Sequence, residues 1–250
     1  MGKVTVDGYV KIIKKFLRGI NCVYPDKERI LDYILVIHNK QQSYSHIRNT
    51  TNGIEWYMRF LNNPINLTKP KKPRRLIREY LKKDEVREII ACCKNQREKA
   101  ITSTLAYSGI RIKELCALRA ADIDPSERTI LIRDGKGSQD RIIYIPSRCA
   151  NVLKGYIKKE KMLPEEHIFK SQPCVIRRTI KRIARRTTIK KNVYPHIFRH
   201  SLAMNLLING CDLISIQKQL GHRNIQTTLI YVHSTPELLK NAYDKYCPRY

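Results

Sequence analysis

Apolar residues recur at steps of three and four along most of this chain, which is the spacing of helices that bury one face. Over the first 63 residues this pattern predicts three helices, at residues 5–20, 25–37 and 44–61. Gly53 lies inside the third segment, so two shorter helices are an alternative there. The structure expected for this part of the chain is a small helical bundle.

A second, larger part of the chain combines helices with one change of periodicity. Helical patterns cover residues 83–93, 97–107, 111–118, 147–159 and 174–188, and two more lie between residues 194 and 222. Residues 129–132 and 141–145 instead alternate with period two, and the stretch between them is rich in glycine, which predicts a β-hairpin. The expected fold class is therefore mainly α with a small antiparallel β-sheet (α+β).

A proline-rich, basic stretch joins the two parts. Pro64, Pro70 and Pro73 prevent a regular helix over residues 64–75. The basic side chains of this linker are Lys69, Lys71, Lys72, Arg74 and Arg75. A run of solvated charge and a strap across the backbone of bound DNA are both open interpretations of this composition.

Positive charge is spread over the whole chain. The net charge is +27 with a pI of about 9.9, and residues 1–75 contribute +10 of it against +17 from residues 76–250. Self-repulsion of this size opposes compaction unless a partner offsets it. A generally basic protein is the alternative, but the distribution favours a protein that grips a polyanion with both parts.

Eight cysteines are present, and none of them forms a Cys-x-x-Cys pair, so a zinc site is not expected. No signal peptide precedes them, which favours a reducing cytoplasm. No apolar run approaches the length of a membrane span, so no membrane partner is expected.

The candidate chemistry lies in residues 194–233. His196 and Arg199 are three residues apart and share one face of a predicted helix. The turn at residues 220–222, Leu-Gly-His, can bring His222 back towards that face. Tyr231 follows at the end of a short helical pattern. These groups are of types that bind or attack a phosphodiester.

The order His-x-x-Arg-His, Leu-Gly-His and Thr-Thr-x-x-Tyr-x-His, at residues 196–200, 220–222 and 227–233, resembles the C-terminal motif of tyrosine recombinases. This is the phage integrase family, and its Xer-like members are the most similar. Residues 108–118, SGIRIKELCAL, resemble the family's first arginine motif. The motifs cover residues 64–235, whereas residues 1–63 resemble the family's core-binding domain only in their helical pattern.

The resemblance implies roles for six catalytic residues, which are Arg111, Lys136, His196, Arg199, His222 and Tyr231. Two arginines can clamp the non-bridging oxygens of a phosphodiester. A histidine can donate a hydrogen bond or carry a proton, a lysine can protonate the leaving 5′ oxygen, and a tyrosine can form a 3′-phosphotyrosine link. The scheme requires no cofactor and no metal ion.

Two further sets of residues extend this hypothesis. Glu114 follows Arg111 by one turn and can hold it through an ion pair, although a surface pair is an equal alternative. The basic helix at residues 174–188 presents Arg178 and Arg182 as candidate DNA contacts, in addition to those of the linker.

The resemblance also implies an organisation. Residues 1–63 would form a helical core-binding domain, residues 64–75 the linker and residues 76–235 the catalytic domain, together a C-shaped clamp on double-stranded DNA. Residues 236–250 form a predicted helix that docks either on its own domain or on a neighbouring protomer. A homotetramer on paired DNA sites is implied, and no accessory protein is indicated.

Three functions compete at this point. The first is site-specific recombination, with integration and dimer resolution both open. The second is a DNA relaxing enzyme similar to type IB topoisomerases, which would act as a monomer and reseal the same strand. The third is a non-catalytic DNA-binding module, against which the intact set of six catalytic residues argues.

Overall fold

The computed structural model describes residues 3–40, 42–71, 79–133, 140–222, 224–226 and 228–229. The chain divides into two compact units, Met1–Leu76 and Ile77–Tyr250. The described residues form helices and one small antiparallel sheet, so the predicted α+β fold that is mainly α is confirmed. Within these residues no helix is long and apolar enough to cross a bilayer.

The first unit is a bundle of α1 (Lys3–Ile20), α2 (Lys27–Asn39) and α3 (Tyr44–Phe60). The side chains of Asp26 and Ser43 cap the second and third helices by accepting hydrogen bonds from backbone N–H groups. Of the two readings of residues 44–61, a single unbroken helix is correct. Gly53 allows α1 to approach closely, because a Cβ at this position would lie 3.0 Å from Ile12 Cγ2.

The core of this unit extends beyond the end of α3. Leu67 is buried with Phe16 and Ile54, and its backbone N–H donates to Glu55 Oε1 at 3.0 Å. Lys69, a predicted DNA contact of the linker, forms an ion pair with Glu55 at 3.1 Å. The first part of the predicted linker is therefore packed on the bundle. Lys72, Arg74 and Arg75 lie outside the described residues.

The second unit has its helices arranged around one buried helix, α5. Its elements are α4 (Lys83–Ala91), α5 (Gln96–Ser108), α6 (Ile112–Ala117), β1 (Ile123–Asp124), β2 (Thr129–Ile132), β3 (Arg141–Tyr144), α7 (Ser147–Lys159), α8 (Pro173–Ala184), α9 (Pro195–Ile208) and α10 (Leu213–Leu220). Helix α5 packs against α4, α7, α8 and α9, and nearly all of its side chains from Glu98 onwards are buried.

The three strands form one antiparallel sheet in the order β1-β2-β3. Ile130 lies opposite Ile143 and both side chains are fully buried, so the predicted hairpin strands place one face in the core. Strand β1 was not predicted, because a strand of two residues is too short to show a periodic pattern. Helix α8 ends at Ala184, four residues before the predicted end.

One carboxylate is buried inside this unit. Glu98 in the first turn of α5 is 3% exposed and accepts hydrogen bonds from Arg186 Nη1 at 2.7 Å and from Arg182 Nη2 at 3.0 Å. The hydrogen bond from Arg186 is the main reason that the pKa of Glu98 lies below its ordinary value. Glu98 therefore ties α8 and the turn that follows it to the central helix.

We expect Glu98→Gln to lower the free energy of unfolding by about 1–3 kcal/mol, because it weakens charge-assisted hydrogen bonds to a buried group. The matched control is Glu166→Gln, which removes the carboxylate of the exposed ion pair with Lys170 and should leave stability unchanged within error. Urea denaturation measures both variants. Equal effects would contradict the structural role assigned to Glu98.

Candidate active site

Among the described residues of this unit, Arg199 is the best-buried cation, with 1% of its surface exposed. It lies in the second turn of α9, and its guanidinium bridges the ends of two other helices. Nη1 donates to the carbonyl of Gly109 at 2.7 Å, and Nη2 donates to the carbonyl of Leu220 at 2.6 Å. Two charge-assisted hydrogen bonds in a fork geometry fix the plane of the guanidinium.

Gly109 makes this approach possible. It ends α5 in the left-handed conformation (φ +66°), which favours glycine. A Cβ there would lie 2.6 Å from Leu220 Cδ2, so any side chain would have to displace this buried leucine side chain. The sequence Ser-Gly that breaks the helix pattern thus also brings the two carbonyl acceptors of Arg199 together.

Arg111 is held by the same turn of α10. As the residue before α6, it donates from Nη2 to the carbonyl of Gly221 at 3.0 Å. Its Nη1 donates to Glu114 Oε1 at 2.8 Å, and its backbone N–H donates to Glu114 Oε2 at 2.9 Å. Glu114 is only 13% exposed, so the predicted ion pair is present and is not a surface pair.

His222 lies directly after this turn and is 9% exposed. Burial is the first cause that lowers its pKa to about 4, and the neighbouring Arg199, Arg111, His196 and Arg141 add to the effect. The ring is therefore neutral near pH 7. Its Nδ1 lies 2.9 Å from the hydroxyl of Thr228, so one side of the ring is engaged and its orientation is defined.

His196 is exposed in the first turn of α9, three residues before Arg199. Together with Arg111, Lys113 and Arg177 it lines an open cleft of about 330 Å³. The four predicted residues in the described part of the unit, Arg111, His196, Arg199 and His222, are thus brought to one place. The cleft beside them carries positive charge, as a phosphodiester requires.

The other predicted residues are distributed differently. Lys136 and Tyr231 lie outside the described residues, the first between β2 and β3 and the second beyond Leu229. Arg178 is exposed on α8. The side chain of Arg182 is 62% exposed and forms an ion pair with Glu98. A DNA contact by Arg182 would therefore use the same guanidinium that binds Glu98.

Two polar residues of this neighbourhood were not predicted. Arg141, the first residue of β3, forms an ion pair with Glu114 at 2.9 Å. Gln219 binds the backbone of Tyr144 in both directions, at 3.1 Å and 2.9 Å. Neither position belongs to a recognisable motif, and an arginine in a strand or a glutamine on a helix carries no signal in one sequence.

Within the described ranges no group of three or more His, Cys, Asp or Glu side chains could hold a metal ion.

Comparison with known proteins agrees with the geometry. The sequence profile of the phage integrase family matches residues 79–237. A tyrosine recombinase of Pseudothermotoga lettingae is 32% identical over 261 residues, which cover 96% of this chain and 91% of the relative. The tyrosine recombinase XerA of Thermococcus onnurineus is 30% identical, with 96% and 88% covered.

Solved structures give the same result. The crystal structure of XerA recombinase matches with a TM-score of 0.65 and 31% identity over 100% of this chain and 94% of that one. A XerH site-specific recombinase bound to its difH substrate in a pre-cleavage complex matches with a TM-score of 0.74 over 97% and 80%. The identity to XerH is 17%, so that likeness concerns the fold alone.

The low pKa of His222 predicts a pH dependence of stability. At pH values between about 4 and the ordinary pKa of 6.5, the imidazole of His222 is protonated in the unfolded chain and neutral in the folded protein. The folded state therefore loses stability as the pH falls through this window. Compared with His222→Gln, the wild type should lose more stability between pH 7 and about pH 4.5 in urea denaturation. Parallel losses in the two proteins would contradict the burial of a neutral ring.

Proposed function

Because this chain belongs to the phage integrase family and is a tyrosine recombinase, a DNA strand-transferring enzyme, we propose that its clustered side chains hold a DNA phosphodiester for attack by Tyr231. One observation carries the proposal. Arg111 and Arg199 donate to the adjacent carbonyls of Gly221 and Leu220, which holds both guanidinium groups at one helix end, with Arg111 lining the cleft.

In the proposed reaction the two arginines bind the non-bridging oxygens and stabilise the charge that develops on them. The hydroxyl oxygen of Tyr231 attacks phosphorus and loses its proton, and the bond from phosphorus to the 5′ oxygen breaks. Lys136 supplies the proton to the leaving 5′ oxygen. A 3′-phosphotyrosine and a free 5′ hydroxyl result, and a 5′ hydroxyl of a second strand reverses the step.

The two histidines have different roles in this proposal. His222 is neutral near pH 7 because of its low pKa, so it serves as a hydrogen-bond donor rather than as a fixed cation. His196 is exposed in the cleft and can donate to the phosphate or carry a proton. Thr228 contacts His222, and Tyr231 follows Thr228 by three residues in the sequence, so only a short stretch of chain separates the two positions.

Recombination is favoured over DNA relaxation by the two sequence relatives described above, both of which are named tyrosine recombinases. We propose that both units bind duplex DNA, because both are strongly basic. We also propose a tetramer on paired sites, since strand exchange between two duplexes needs four cleavages and each protomer has one Tyr231.

A groove on the second unit supports exchange of the C-terminal segment between protomers. It has a volume of about 560 Å³ and lies between β3 and the helices α9 and α10. Ile142 and Tyr144 line it and are 59% and 69% exposed, which is high for large apolar side chains. Residues 236–250 carry the apolar face of a predicted short helix, which must dock to be stable.

The nucleophile is tested with Tyr231→Phe, which should bind DNA normally and form no covalent adduct because only the hydroxyl is lost. A pool of randomised duplexes is incubated with wild-type protein, and the DNA that stays attached after denaturation is sequenced. The recovered site is then built into a nicked suicide substrate. Tyr243→Phe is the matched control and should form adduct at the wild-type rate. An adduct on the Tyr231 variant would assign the nucleophile elsewhere, and no adduct on wild type would overturn strand transfer.

Removal of residues 236–250 should leave binding to one site intact and weaken the pairing of two sites, because the docking helix is lost. Tyr144→Asp should reproduce this defect by placing a charge in the acceptor groove. Leu163→Asp, at another exposed apolar position (67%), is the control and should pair sites normally. Native gel shifts with one and two sites measure all three proteins. Normal pairing by the truncated protein would contradict exchange between protomers.

A further inference from the structure

Arg141 is not among the residues to which the reaction has been assigned, yet it contacts both supports of the Arg111 guanidinium. Its Nη2 donates to Glu114 Oε2 at 2.9 Å. Glu114 uses its other oxygen, Oε1, for Arg111 Nη1 at 2.8 Å. The carboxylate therefore forms a bridge between the two arginines, and it is 13% exposed.

The bridge depends on Arg141 electrostatically. Burial alone would raise the pKa of Glu114, and the hydrogen bond from Arg141, followed by those from Arg111, reverses this and holds the pKa below its ordinary value. Without Arg141, the largely buried carboxylate of Glu114 would still be poorly solvated and would lose the hydrogen bond that best stabilises its charged form. Its hold on Arg111 would weaken as a consequence.

The second support is the turn after α10. The carbonyl of Gly221 accepts from Arg111 Nη2 at 3.0 Å, and the guanidinium of Arg141 lies where a side chain on this glycine would begin. A Cβ on Gly221 would lie 2.7 Å from Arg141 Cζ and closer still to Nε. Arg141 thus packs on the residue whose carbonyl orients Arg111.

The position of Arg141 in the sheet connects this network to the hairpin. Arg141 lies opposite Ile132 in the last described pair of β2 and β3, and Lys136 lies between these two residues in the sequence. Two residues along the same strand, Ile143 is buried, and the backbone of Tyr144 is bound by Gln219 of α10. Strand β3 is therefore attached to α10 at two points, by Arg141 and by Gln219.

The guanidinium is kept in this place at an energetic cost. Only 16% of the side chain is exposed, and its Nε is buried with no hydrogen-bond acceptor among the residues that the structure describes. A buried donor without an acceptor is unfavourable and calls for an explanation in each case. The charge of this guanidinium compensates the buried carboxylate of Glu114, which in turn holds Arg111.

We propose that Arg141 is a positioning residue for strand transfer, which fixes Glu114 and the turn at Gly221 and through them the guanidinium of Arg111. The inference rests on the proposed function, since it concerns the same site. Arg141 acts at the base of the hairpin, so the strand that leads to Lys136 and the arginine that binds phosphate are held by one side chain.

The experiment measures adduct formation on the suicide substrate described above, in a single turnover with protein in saturating excess. Arg141→Met should slow it by roughly 100-fold, the effect of a displacement of about 1 Å in a catalytic group, with DNA affinity unchanged within error. Arg141→Lys can still donate to Glu114 and should recover part of the rate.

The matched control is Arg133→Met. Arg133 lies on the other side of the hairpin base and also pairs with a buried carboxylate, that of Asp122 at 2.7 Å, but it has no contact with Arg111 among the described residues. It should cleave at close to the wild-type rate. Urea denaturation shows that each variant is folded at the assay temperature.

A double-mutant cycle tests the route of the effect. If Arg141 acts through Glu114, then Glu114→Gln combined with Arg141→Met should be little slower than the slower single variant. The inference would be overturned if the rate losses of Glu114→Gln and Arg141→Met multiplied in the double variant. It would also be overturned if the Arg133 and Arg141 variants lost rate equally, or if Arg141→Met lowered only the DNA affinity. Wild-type protein without any adduct would instead overturn the proposed function.

Discussion

The active site depends on the backbone carbonyls at the C-terminal end of α10. The last carbonyls of a helix have no partner within the helix and carry partial negative charge. Here Leu220 and Gly221 present two of them in succession, and Arg199 and Arg111 each donate to one. Gly221 takes up the left-handed conformation (φ +65°) that turns the chain after the helix and places His222 beside both arginines. One helix end therefore positions three of the functional groups.

The electrostatics of the site follow from this concentration of cations. Arg111, Arg141 and Arg199 are all close enough to His222 to lower its pKa, and Glu114 compensates two of them, Arg111 and Arg141. Excess positive charge in a half-buried cleft is unfavourable until a phosphate enters, which is a reasonable basis for binding a phosphodiester. Burial first, and this excess of positive charge second, lower the pKa of His222 and keep it neutral, so the imidazole is available as a hydrogen-bonding group over the physiological pH range.

Much of this arrangement was accessible from the sequence. The helices from α1 to α10 and both hairpin strands were predicted from periodicity, because each is long enough to show which face it buries. Spacing predicted that His196 and Arg199 share a helix face and that His222 follows a tight turn, whereas the functional roles of these residues were implied by the resemblance to tyrosine recombinases. The ion pair of Arg111 with Glu114 was predicted as one of two alternatives for the same reason.

What the sequence determined by itself was thus the local structure and the identity of the groups, which depend on neighbours a few residues apart. The tertiary structure alone decided which distant groups meet. Arg141 reaches Glu114 across 27 residues and Arg199 reaches Gly109 across 90, and no local pattern encodes either contact. It also decided that Gly53 is a place of close helix packing and not a break, and that Glu98 is a buried ion-pair partner and not a surface charge. Burial and long-range pairing are properties of the packed chain, so they become visible only when the helices are assembled.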